Sequence, residues 1–172
     1  CEPGSGFCIS AIRLARVLVQ QMPKEPEARG LLALMLHCEA RRPARRAPDG
    51  RYVPLSEQDV HLWSMPMIEE AELELAAAAK LGRPGRFQLE AAIQSVHCAR
   101  AVTGATDWSA LRALYAALVE RAPTMGARVA FAAAVGRVDG AAAGLAVLDA
   151  IGDEHVQRFQ PAWATRAHLL FE

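Results

Sequence analysis

The sequence predicts an all-α fold of antiparallel helical hairpins stacked as a degenerate tetratricopeptide-like array. Three observations predict it. About a fifth of the 172 residues are Ala and only 6% are aromatic, a composition for closely packed helices and not for a β sandwich. Apolar residues recur at spacings of three and four through most of the chain. Pro, Gly and capping residues punctuate that pattern at intervals of about 12 to 18 residues, the length of ordinary helices joined by short turns. A mass of 18.5 kDa suits one domain over 1–172. A fold of this size buries roughly 70% of its unfolded surface, so it needs neither disulfides nor metal for stability.

Residues 7 to 22 place Phe7, Ile9, Ile12, Ala15, Arg16, Leu18 and Val19 at helical spacing, and Pro23 and Pro26 end that helix and open the next. From Pro26, a helix to Arg42 offers Leu31, Leu34, Met35 and Cys38 on one face. Glu27 suits its positive start, and Arg41 and Arg42 its end. These two helices form a hairpin over 7–42. The stretch 43–55, PARRAPDGRYVPL, has three prolines and the Asp49-Gly50 turn signal, so it reads as a surface loop that no helix crosses.

Helices then fill 56–172. Ser56 and Asp59 resemble a cap for a short helix through Trp63, redirected at Pro66. The next runs to about Leu81, with Ile68, Leu73 and Leu75 or Ala76 toward a core and Glu70 and Glu74 opposite. After GRPG, residues 86 to 102 align Leu89, Ala92, Ile93, Val96 and Ala99 or Arg100, ending near Gly104. Thr106 or Asp107 caps a helix bearing Trp108, Leu111, Leu114, Tyr115 and Leu118. Pro123 starts one to about Val135, Gly140 opens one through Ile151, and Pro161 lies near the start of the last, ending at Glu172. Ala127, Phe131 and Ala134 match the A-x3-F-x2-A pattern of a tetratricopeptide second helix, although no clean 34-residue period runs through the chain.

Charge and motifs narrow the function classes. Nineteen Lys and Arg balance nineteen Asp and Glu, so no net field draws the molecule to nucleic acid or an acidic membrane. No apolar run reaches the roughly 20 residues of a membrane span and no leader-like start is visible, which predicts a cytoplasmic protein. Cys1, Cys8, Cys38 and Cys98 are too scattered for a disulfide framework or a CxxC zinc site. Gly-x-Gly-x-x-Gly, Walker, Gly-x-Ser-x-Gly and His-Glu-x-x-His signatures are absent, so neither an enzyme nor a cofactor is expected.

Five phrases carry a resemblance: AIRLARVL (11–18), EARGLLALML with EARRPAR (27–45), GRPGRFQLEAAIQSVH (82–97), TDWSALRALYAAL (106–118) and VDGAAAGLAVLDAI (138–151). In this order they resemble the C-terminal, tetratricopeptide-like region of bacterial extracytoplasmic-function-type (sigma-24-like) RNA polymerase sigma factors. The resemblance implies that two sigma domains, absent from this chain, precede Cys1 in the complete protein. It also implies that this region is an accessory domain contacting the sigma core or polymerase and modulating transcription initiation. The chain has neither a basic, aromatic-rich helix for melting promoter DNA nor a basic recognition helix, so it is not expected to read a promoter itself. It departs from the family at Val60, where an Arg is usual, at Ser64, where an acid follows the Trp, and at Ala130 and Phe131, which replace an Asn-Arg pair.

The strongest local charge feature is Arg41, Arg42, Arg45, Arg46 and Arg51 against Asp49. Five guanidiniums so close can hold phosphate or a partner's carboxylates through forked hydrogen bonds; the plainer reading is a solvated loop and a helix cap. With Glu57, Asp59 and Trp63, these arginines make the candidate partner-binding edge. In the His37-Cys38 and His97-Cys98 pairs, Cys38 and Cys98 are read as small core residues and His37 and His97 as partly exposed ones, because helix neighbours diverge by about 100° and do not readily converge on one metal. Glu69, Glu70, Glu72 and Glu74 read as a solvated helix face, and Trp63, Trp108, Trp163, Tyr115 and Phe131 as packing between helices. The expected role is protein interaction within a sigma factor. A stand-alone tetratricopeptide-like adaptor and a small-molecule-binding helical domain are the alternatives.

Overall fold

The computed structural model describes residues 5–152, 156 and 158–171. Among them lie eight α-helices: α1 (Ser5–Gln21), α2 (Pro26–Ala40), α3 (Met65–Ala79), α4 (Arg86–Thr103), α5 (Trp108–Arg121), α6 (Met125–Asp139), α7 (Ala141–Asp149) and α8 (Gln160–Phe171). The described residues include no β-strand, only an isolated antiparallel bridge between Arg46 and Tyr52. The fold is all-α, as the periodicity predicts. Cys1, Glu172 and the side chain of Phe7 lie outside what is described. The chain separates into two compact units, Cys1–Thr106 and Asp107–Glu172.

In the first unit α2 is the centre, packing on α1, α3 and α4. A helix with three neighbours must be apolar around most of its circumference. Accordingly Ala28, Leu32, Ala33, Leu36, His37 and Ala40 are among its buried residues, while Leu31, Leu34, Met35 and Cys38, the face expected from sequence, are only half-buried. Ile12, Ala15 and Val19 of α1 complete this core with Ala71 and Ala91.

Two devices set α4 against α2. A Cβ on Gly30 would lie 2.6 Å from the Gln88 backbone nitrogen, so only glycine permits this approach. The Glu27 carboxylate accepts hydrogen bonds from the Phe87 and Gln88 backbone N–H groups at 2.9 and 3.1 Å. Glu27 therefore caps α4, whose own N-cap, Gly85, offers no side chain; the start of α2 is capped by Glu25 instead. A carboxylate at these orphan donors satisfies both hydrogen bonding and the helix dipole.

Helix α3 is turned relative to expectation. Glu70 pairs with Arg16 of α1 through two bonds of 2.7 and 2.8 Å, and Glu74 with Arg29 of α2 at 2.6 Å. These acids face the neighbouring helices, whereas Leu73 is 73% exposed. Ile68, Ala71 and Ala78 are the buried positions.

The second unit packs α6 on α5, α7 and α8. Gly144 meets Gly136 so closely that a Cβ would lie 2.8 Å from the Gly136 Cα. Val129, Ala132, Leu148, Val156 and Ala162 form its core. Ala127 and Ala134 of the tetratricopeptide-like pattern are buried and Phe131 is half-buried. Trp108 is half-buried beneath Arg137, 5.3 Å from its ring centroid. Trp163 is 54% exposed and so does not serve the packing role expected of it.

Candidate functional site

The α2–α3 connection carries every residue of the candidate edge. The short α-helix expected from Ser56 is replaced by 3₁₀ turns at Leu55–Glu57 and Val60–Leu62, and a third turn, Arg42–Arg45, follows α2. Asp59 caps the turn at Val60–Leu62 by accepting from the His61 backbone N–H, and α3 begins one residue before Pro66, which lies in its first turn. Residues 45–53 form a tight hairpin. Ala47 N–H donates to Arg51 O, Gly50 N–H to Ala47 O and Val53 N–H to Arg45 O. Gly50, at φ 84°, supplies the left-handed position that such a turn needs.

A connection of this length exposes backbone carbonyls that no helix can satisfy, and buried polar groups require partners. Arginines meet that requirement. Arg45 donates to Cys38 O at 2.7 Å and Arg46 to Gly50 O at 3.0 Å. Arg100 of α4 reaches across to Ser56 O, Leu55 O and Gln58 O at 2.7, 2.8 and 3.1 Å. Gln58, itself buried, donates to Val53 O. Trp63 is 4% exposed, with Arg41 and Arg100 stacked at 6.0 and 5.4 Å from its ring, distances at which the ring quadrupole attracts a cation.

The eight predicted residues therefore divide. Arg41 and Trp63 are buried; Arg41 also donates to His37 O and to the Gln94 side chain. Arg42 pairs with Glu39 at 2.7 Å. With Arg45 it lines a cavity of about 310 Å³ that also holds Cys8 and Cys38. Arg46, Arg51, Glu57 and Asp59 remain on the exposed side of the connection.

Arg100 is not among the predicted residues, because its partners lie more than forty positions away. The only signal for it is an arginine near the end of a helix that faces a segment rich in unpaired carbonyls. His37, expected to be partly exposed, instead lies in the interior beside the edge, and Cys38, expected in the core, is only half-buried. His37 is fully buried, neither of its ring nitrogens has a hydrogen-bond partner among the described residues, and its Nε2 lies 3.4 Å from Glu72 Oε1. Burial, then the nearby charge of Arg41, pushes its pKa down to about 4. His97 is pushed down to about 4 by burial, then Arg41 and Arg100. Both imidazoles are neutral at neutral pH.

Among the described residues no group of three or more His, Cys, Asp or Glu converges as a metal site, and no helix is long and apolar enough to cross a membrane. A second surface feature lies between α3 and α4, an open groove of about 750 Å³ with mostly apolar walls.

Residues 4–79, which span α1 to α3 and the connection, match the model of a family of unknown function, DUF6596. The chain is also similar to an uncharacterized protein of Rhizobium meliloti (strain 1021), 39% identical over 147 residues. That match covers 86% of this chain but only 35% of the relative, so the chain spans about a third of the relative's length. No solved structure matches the chain.

Proposed function

We propose that this chain is an accessory protein-interaction domain of an extracytoplasmic-function-type sigma factor, which modulates transcription initiation by docking on the sigma core or the polymerase. One observation carries the docking reading. The α2–α3 connection is held by Arg100, Arg45, Gln58 and the Trp63 stack, so it presents Arg46, Arg51, Glu57 and Asp59 in a fixed arrangement. A surface already ordered before binding loses less conformational entropy in the complex. The sigma assignment is supported by the five sequence phrases and by the much greater length of the similar Rhizobium protein, which leaves room for two further domains.

Because Arg41 and Arg45 hold the fold, the test belongs at the exposed pair. In the complete protein that carries this region, Arg46→Glu with Arg51→Glu is expected to weaken co-purification with polymerase core and the sigma domains by about tenfold, or roughly 1.4 kcal/mol. The circular dichroism should be unchanged. Full retention by a normally folded double variant, or no association of the wild type at any salt, overturns the proposal.

A further inference from the structure

The groove between α3 and α4 arises because both helices pack chiefly on α2 and only lightly on each other. Its walls are two stripes at helical spacing. On α3 they are Met65, Ile68 with Glu69, Glu72 with Leu73, and Ala76. On α4, Cys98, Ala99 and Val102 face them. From Met65 to Ala76 the wall is about 16 Å long, three turns of helix.

We infer that this groove is a docking site for a basic amphipathic helix of about three turns, contributed by a protein partner. Three observations select that occupant. The rims are apolar and wet: Leu73 is 73% exposed and Val102 81%. A small molecule seated on the floor, between Ile68 and Cys98, would leave both rims in water, whereas a helix lying along the groove covers them. An apolar face with anchors at i, i+3 or i+4, and i+7 fits a trough walled by a stripe on each of two helices. The charge is one-sided, since Glu69 and Glu72 stand on the α3 wall and no Lys, Arg or His lines the groove. Lys or Arg beside the partner's apolar face would meet those carboxylates, and an acidic helix would be repelled.

This inference uses residues distinct from the connection edge and holds whether or not the chain belongs to a sigma factor. Its test is a pair of fluorescein-labelled peptides of about 14 residues. Both carry a Leu stripe at helical spacing; one has Lys at its polar positions and the other has Glu. Anisotropy with the full chain should show the Lys peptide binding at least about tenfold more tightly. Leu73→Ser with Val102→Ser, which strips apolar surface from the rims without adding charge, should weaken that binding about tenfold without unfolding the chain, because both side chains already face water. Glu69→Lys should weaken the Lys peptide and improve the Glu peptide. Equal binding of the two peptides, or variants that bind as the wild type does, overturns the inference. Saturable binding of octylamine while both peptides stay inert assigns the groove to a small ligand and overturns it equally.

Discussion

Arg100 shows how one side chain can organise a long non-helical segment. Its guanidinium supplies hydrogen bonds to three carbonyls and stacks on Trp63, a combination that suits a planar fork of donors and that a lysine ammonium cannot reproduce. Arg100→Met should cost about 2 kcal/mol, from lost charge-assisted bonds and the lost cation–π contact. Arg100→Lys should recover little of it. Hydrogen exchange read by mass spectrometry checks this. Peptides covering 42–63 should exchange at least about tenfold faster in either variant while those from α2 do not change, and slow exchange across the connection in Arg100→Met would show that Arg100 is not the clamp. The run of arginines was legible in the sequence, but their direction was not. Arg41 and Arg45 turn back onto His37 O and Cys38 O because the last turn of α2 has carbonyls to satisfy, and a count of charges cannot report that.

At the scale of the helices, the boundaries came from local chemistry and the contacts from elsewhere. Asp107 caps α5 at Ala110 N–H, 2.9 Å away, as its position predicts. Glu27, expected to serve the start of its own helix, instead caps α4, because its partners, Phe87 and Gln88, are 60 and 61 positions on. Glu27→Ala should lower stability by about 1 kcal/mol, a fall in melting temperature of roughly 2–4 °C for a chain of this size. Two Gly→Ala changes should move it in opposite directions. At Gly126, in the first turn of α6, a Cβ meets nothing within 4 Å, and stability should rise by about 0.5–1 kcal/mol. At Gly30 the new methyl strikes the α4 backbone, so overpacking of about 1–3 kcal/mol exceeds the helix-propensity gain. Thermal melts of the three variants check the set; a stabilised Gly30→Ala would contradict the close packing of α2 on α4. The same non-locality explains α3. Its period was readable, yet the side bearing Glu70 and Glu74 is the packed one because Arg16 and Arg29 wait on neighbouring helices.

For the whole molecule these placements set the response to acid. An unfolded chain takes up protons on His37 and His97 as pH falls through 6.5, whereas the folded chain resists until about 4. Between those values the unfolded state binds more protons, so stability falls as the pH is lowered. For fully buried His37 a separation of that size corresponds to roughly 3 kcal/mol. Glu70 acts in the same direction but lower on the scale. Its hydrogen bonds to Arg16 hold its pKa below 4.5, so the ion pair's contribution is intact at neutral pH and is lost only as the pH drops below that value. Urea midpoints measured from pH 8 to pH 4 should therefore hold steady down to about 6.5 and then decline. His37→Met separates the contributions. The imidazole nitrogens have no hydrogen-bond partner to lose, so the change should leave stability at pH 8 within about 1.5 kcal/mol. It should remove roughly half of the decline between pH 6.5 and 4, leaving the share of His97. A wild-type midpoint that is level across that window, or a His37→Met profile parallel to the wild type, would mean that the imidazole is not held neutral at the centre of the α2 packing.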